Sequence, residues 1–98
     1  MFVILLKFGE NKRAAGQWME AHNAWIRVGL EEGAFLLVGS IQPKAGGFLL
    51  AKAPSREELE ARVHRDPFVA HRVVTAEILE IQAAKAQPEL AFLLPSPT

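Results

Sequence analysis

The chain has no cysteine and no tyrosine among its 98 residues. Without cysteine there are no disulfides, thiolate nucleophiles, cysteine-type zinc sites or iron–sulfur clusters. Without tyrosine there is no phenol to hold or give a proton. Net charge is missing too, since 11 basic residues balance 11 acidic ones. Binders of nucleic acid or of anionic membranes carry a basic excess, so neither partner is expected. Apolar runs are short: Phe2–Leu6 and Ala34–Val38 have five members each. A membrane span needs about 20 and a signal-peptide core about 7–15. The expectation is a soluble, cytoplasmic chain of one domain.

Half of the residues are apolar, and their spacing predicts the elements. Phe2-Val-Ile-Leu-Leu6 is rich in β-formers and predicts a strand over 2–8. Asn11 is a candidate cap for a helix from about Lys12 to Glu31. At 100° per residue Trp18, Trp25 and Gly29 fall within about 40° of one another. Ala14, Ala15, Ala21 and Ile26 widen that arc, while Arg13, Glu20, Asn23, Arg27 and Glu31 lie opposite. Gly33 ends the helix. Two strands follow, Ala34–Ile41 and Gly47–Ala53, joined by Gln42-Pro-Lys-Ala-Gly-Gly47 at hairpin spacing. Ser55-Arg-Glu-Glu58 has the form of a capping box and opens a helix over 56–65. Asp66-Pro67 closes it and is suited to cap a further short turn. A last strand is expected over 73–81.

The order β-α-β-β-α-β is the ferredoxin-like arrangement, an α+β fold with a four-stranded antiparallel sheet and two helices on one face. Such sheets usually alternate apolar and polar residues, because the second face meets water. Here Phe2–Leu6, Ala34–Val38 and Phe48–Ala51 are apolar on both parities. Something must cover the second face. A second copy packed sheet to sheet, forming a dimeric α+β barrel, is the economical solution. The rival is the tail folded over its own sheet. Residues 1–82 form the expected domain and 83–98 an irregular C-terminal tail with three prolines and the apolar patch Leu90–Leu94.

Reactive groups are few. Phosphate-binding glycine loops and a G-x-S-x-G elbow are absent. His64 and His71 are seven apart with Pro67 between them, so no metal site is expected. His22 lies inside the apolar arc of the first helix, near Trp18 and Trp25, where an ionisable ring must find a polar partner. It reads either as a core histidine bonded to a backbone carbonyl or as a base poised near neutral pH. Asp66 reads locally as a helix cap.

Several segments occur in a telling order: Phe2–Leu6, Ala21-His-Asn-Ala-Trp-Ile26, Gly33-Ala-Phe-Leu-Leu-Val-Gly-Ser40, Gly46-Gly-Phe-Leu-Leu-Ala51, Ser55-Arg-Glu-Glu-Leu59 and Asp66-Pro-Phe-Val69. In combination they resemble the YCII-related (YciI-like) family over roughly residues 2–82. The resemblance implies the dimeric barrel and a His–Asp pair at the site, which maps onto His22 and Asp66. It also implies a pocket with Ser40 on its lining. From the residues themselves that pocket is expected beside the hairpin from Pro43 to Gly47, with Trp18, Trp25 and Phe68 each either an aromatic wall or plain core. The activity the resemblance implies is a cofactor-free lyase, dehydrochlorinase or isomerase acting on a small cyclic or aromatic metabolite. The alternative is a non-catalytic module that binds or senses a small molecule in the same pocket. RNA binding through the sheet finds no support, since Gly47-Phe-Leu-Leu-Ala51 lacks basic–aromatic alternation.

Overall fold

The computed structural model describes residues 1–95. Its strands are β1 (Phe2–Phe8), β2 (Phe35–Ile41), β3 (Gly46–Ala51) and β4 (Val74–Glu80). Its helices are α1 (Ala15–Glu31), α2 (Arg56–His64) and α3 (Pro67–Ala70). The sheet is wholly antiparallel, in the order β2-β3-β1-β4. This is the expected ferredoxin-like arrangement. Among the described residues no helix is long and apolar enough to cross a membrane.

Register sorts the strand residues onto two faces. Phe2, Ile4 and Leu6 of β1, Leu49 and Ala51 of β3 and Phe35 of β2 are buried against the helices, with Leu59, Val63 and Phe68. The opposite face carries Val3, Leu5, Phe48, Leu50, Leu37 and Leu79, aligned by the pairs Val3↔Leu50, Leu5↔Phe48, Leu37↔Leu50 and Val3↔Leu79. Leu37 is 56% exposed and Leu79 40% exposed. Val3, Leu5, Phe48 and Leu50 are half-buried, and among the described residues no helix packs on this second apolar face.

The ends of the elements follow local chemistry. Gly33 adopts φ 75° after α1, and the Gly33 and Ala34 amides donate to the carbonyls of Leu30 and Gly29. That pattern is a Schellman cap, which a glycine permits without strain. The Ser55 side chain caps α2 by accepting from the Glu58 amide at 3.2 Å. Asn11 differs from expectation: a 3₁₀ turn over Lys12–Ala14 precedes α1, and the Asn11 side chain caps no helix. Its amide nitrogen instead donates to the His71 carbonyl at 2.8 Å, tying the end of β1 to the end of α3. The tail also has more order than its prolines suggest. Pro88–Leu93 form a 3₁₀ turn, with Pro88 in the first turn, where its missing N–H costs nothing. Residues 96–98 of the expected tail lie outside the described residues.

Gly46 opens β3 at φ 131°, and a Cβ there would run into the backbone carbonyl of Leu6. Strand β1 is central and cannot retreat. Gly46→Ala is therefore expected to destabilise the protein by about 2–3 kcal/mol, from backbone strain and overpacking together. Equilibrium urea unfolding measures it; an unchanged midpoint would contradict the close approach.

Candidate active site

His22 sits on the inner face of α1, 8% exposed, and Asp66 ends the α2–α3 corner, 0% exposed. The fold brings them together because α3 packs directly on α1. His22 Nδ1 lies 2.7 Å from Asp66 Oδ1. The same oxygen accepts from the Phe68 amide at 3.0 Å, the capping bond of α3. Asp66 is thus both cap and partner, two roles that are separate readings at the level of sequence. The Phe68 N–H is a fixed donor, so Oδ1 serves as acceptor and His22 presents Nδ1–H to it. That assigns the tautomer and leaves Nε2 as the ring nitrogen with a free lone pair. Asp66 Oδ2 is buried and has no partner among the described residues.

Aromatic rings hold the imidazole in place. Phe68 stacks on His22 with centroids 3.9 Å apart and planes 5° from parallel. One turn earlier on α1, Trp18 stacks on His71 at 3.6 Å and 6°. Together the stacks join α1 to α3 at two points and restrain both members of the His–Asp pair. His71, which carries no role in the sequence reading, is thereby a neighbour of the site. Its stacking follows from an i, i+3 step from Phe68 that matches the i, i+4 step from His22 to Trp18.

His22 lines a cavity of about 310 Å³, which Ser40, Gly47 and Phe68 line as well. Trp18, Trp25 and Pro43 are not on its wall. Trp18 is engaged with His71. Trp25 donates from Nε1 to the Arg62 carbonyl at 3.0 Å and meets the Phe35 ring edge-on, so it anchors α1 to α2. Pro43 is exposed in the hairpin loop. Their places on the wall are taken by Leu6, Phe8, Met19, Asn23, Ile26 and Val38, among others. Asn23 lies on the polar side of the helical wheel, yet it reaches the cavity because the cavity opens beside α1 as well as beneath it.

The lining is mostly apolar, with His22, Asn23 and Ser40 as its polar side chains and no Lys, Arg, Asp or Glu. Its size is at the lower end for ligand pockets and suits a single small ring. Among the described residues no group of three or more His, Asp and Glu side chains is arranged to hold a metal ion.

A family model, the YCII-related domain, matches residues 1–82. No curated protein matches by sequence. Among solved structures the chain is similar to the 5-chloro-2-hydroxyhydroquinone dehydrochlorinase from Burkholderia phenoliruptrix AC1100, determined in complex with 2,5-dihydroxybenzoquinone. The TM-score is 0.67 at 16% identity, covering 86% of this chain and 96% of that one. That likeness is one of fold.

Proposed function

The chain belongs to the YCII-related domain family, and from that premise we propose that it is a cofactor-free, cytoplasmic enzyme that moves a proton on a small cyclic or aromatic metabolite. His22 is the base and Asp66 the residue that orients it. The observation that carries this reading is the 2.7 Å His22–Asp66 contact at a mostly apolar cavity. A carboxylate on Nδ1 fixes the tautomer and holds the Nε2 lone pair in one direction.

The reaction class follows from that single base. Nε2 takes a proton from the substrate, and the freed electron pair becomes a ring double bond. In an elimination the leaving group departs as an anion and the imidazolium later returns its proton to water. In an isomerisation the same proton goes back to a different carbon. Either needs a positioned base and a site that excludes water. The related fold's dehydrochlorinase is named for an elimination of this kind. With no charged side chain on the wall, the cavity favours an uncharged ring over a carboxylate or phosphate, whose desolvation would go uncompensated. Asn23 and Ser40 offer hydrogen bonds to its hydroxyl or carbonyl groups.

The second apolar face of the sheet packs against a second copy, giving the dimeric barrel. At about 25 cal/mol per Å², covering even about 500 Å² of apolar area per chain contributes more than 10 kcal/mol before the cost of association.

Hydroxylated and halogenated quinols and enolisable cyclic ketones are the panel to test. His22→Gln is expected to lower turnover at least about 10²-fold while leaving ligand affinity within a few-fold, because the base alone is lost. Calorimetric binding with no turnover of any panel member, in parent and variant alike, is the outcome of the binding-module alternative and would retire the enzyme.

A further inference from the structure

The C-terminal arm lies beyond the stretch that the family model covers. Over residues 84–92 it is not packed onto its own domain. Residues 84–92 are exposed throughout, with Leu90 47% and Phe92 60% exposed. The backbone hydrogen bonds within it are local, Leu90 to Gln87 and Leu94 to Ala91. Among the described residues none joins 83–95 to the sheet or helices. Only at its end, where Leu93 and Leu94 are half-buried, does it approach its own domain, with Leu93 sharing the lining of two hollows, of about 310 and 490 Å³, with Met1 and Ala83.

The whole chain bears the mark of this. Its radius of gyration is 14.1 Å, against about 12.6 Å for a compact domain of this length. Its accessible surface is 6658 Å², against about 5,500 Å² for a compact monomer of 10.8 kDa. The excess of about 1,100 Å² exceeds the roughly 800 Å² that one partner contributes to a standard interface.

We propose that the arm is a clasp for a second copy of this chain, with Leu90 and Phe92 seated on the other protomer. Continuity of the apolar surface argues for that occupant. Leu79 stands opposite Val3 on the second sheet face, and Ile81, two residues on and 37% exposed, continues the ladder by bonding to Met1. Side chains two apart in an extended chain share a face. An apolar strip therefore runs from the sheet face through Leu79 and Ile81 to the root of the arm. A second copy on that face is the body nearest the arm. Charge argues the same way: the described arm carries one cation, Lys85, and one anion, Glu89, so it has no basic excess for an anionic membrane. This clasp rests on the sheet-to-sheet dimer proposed above.

The test separates the two. Phe92 is replaced by p-benzoylphenylalanine in the full chain and irradiated, and the dimer constant of Leu90→Ser/Phe92→Ser is measured by sedimentation equilibrium. The clasp predicts a covalent species of twice the chain mass and a dimer Kd raised about 10- to 100-fold. Both residues lie outside the packed core, so the variant keeps its fold. A full-length dimer whose photoadducts are all within one chain, or whose Kd is unchanged in the double variant, overturns the clasp and leaves the sheet dimer standing. A full chain that sediments as a folded monomer at micromolar concentration overturns both.

Discussion

Asp66→Ala is expected to lower the free energy of unfolding by about 3–5 kcal/mol, a large share of the stability of a small domain. The size follows from counting what one oxygen does. Asp66 Oδ1 receives both the Phe68 amide and His22 Nδ1, and the residue is fully buried. Alanine leaves both buried donors without partners, at about 1–3 kcal/mol each; the Phe68 amide, one of the two, is the cap of α3. Asp66→Asn is expected to behave quite differently. Two donors converge on the Oδ1 position, so the amide oxygen is forced there and the amide NH₂ takes the place of Oδ2. Cap, contact and His22 tautomer survive, and the cost falls to that of an amide NH₂ buried where Oδ2 has no partner, about 1–3 kcal/mol. What is lost is the negative charge beside the imidazole. Urea unfolding of both variants, with ¹⁵N spectra of the His22 ring, checks this. An Asp66→Ala loss under 1 kcal/mol, or a ring that changes tautomer in Asp66→Asn, would show that Phe68 does not dictate the geometry.

The double duty of Asp66 marks where the sequence could be read and where it could not. Asp66-Pro67 announces a cap through local chemistry alone, since proline fixes the backbone and the aspartate meets the amide two residues on. That the same carboxylate oxygen also receives His22, 44 residues away, is a fact of topology, and the family resemblance rather than any spacing pointed to it. The strands and their order were legible because apolar runs, glycines and prolines punctuate the chain so clearly. Positions on α1 were harder. Trp18 and Trp25 lie in the apolar arc, and aromatic size made them candidates for the pocket wall. A helical wheel shows which side faces inward and not which neighbour is met there. Trp18 meets His71, Trp25 meets Phe35 and the Arg62 carbonyl. Asn23 lines the cavity from the polar side, and no periodicity could have placed it there. Asn11 differs in orientation: a cap would use its Oδ1 as acceptor, but the side chain instead turns its Nδ2 to donate to the His71 carbonyl.

The largest contrast is expected between two leucines that the strand pattern treats alike. Leu37 and Leu49 both lie in apolar runs, in paired strands. Leu49 is 1% exposed and packed beneath the helices, whereas Leu37 is 56% exposed on the opposite face. Leu49→Glu places an unpaired carboxylate in the core and removes a buried side chain. The loss of apolar burial is about 2–3 kcal/mol, and the buried charge adds several more. The sum exceeds about 5 kcal/mol and approaches the stability of the whole domain, so the variant is expected to be unfolded by circular dichroism at 25 °C. Leu37→Glu puts the same charge where a lone protomer has water. It is expected to leave the secondary structure and the monomer's unfolding midpoint nearly intact and to raise the dimer Kd at least 100-fold, because two copies related by symmetry bring two carboxylates into one apolar interface. Leu5→Glu, on the same face as Leu37 by register, should follow Leu37 rather than Leu49. Sedimentation equilibrium beside thermal unfolding reads both quantities. A Leu37→Glu chain that remains dimeric would mean that some other surface joins the copies, and that the second apolar face of this sheet is covered by something other than itself.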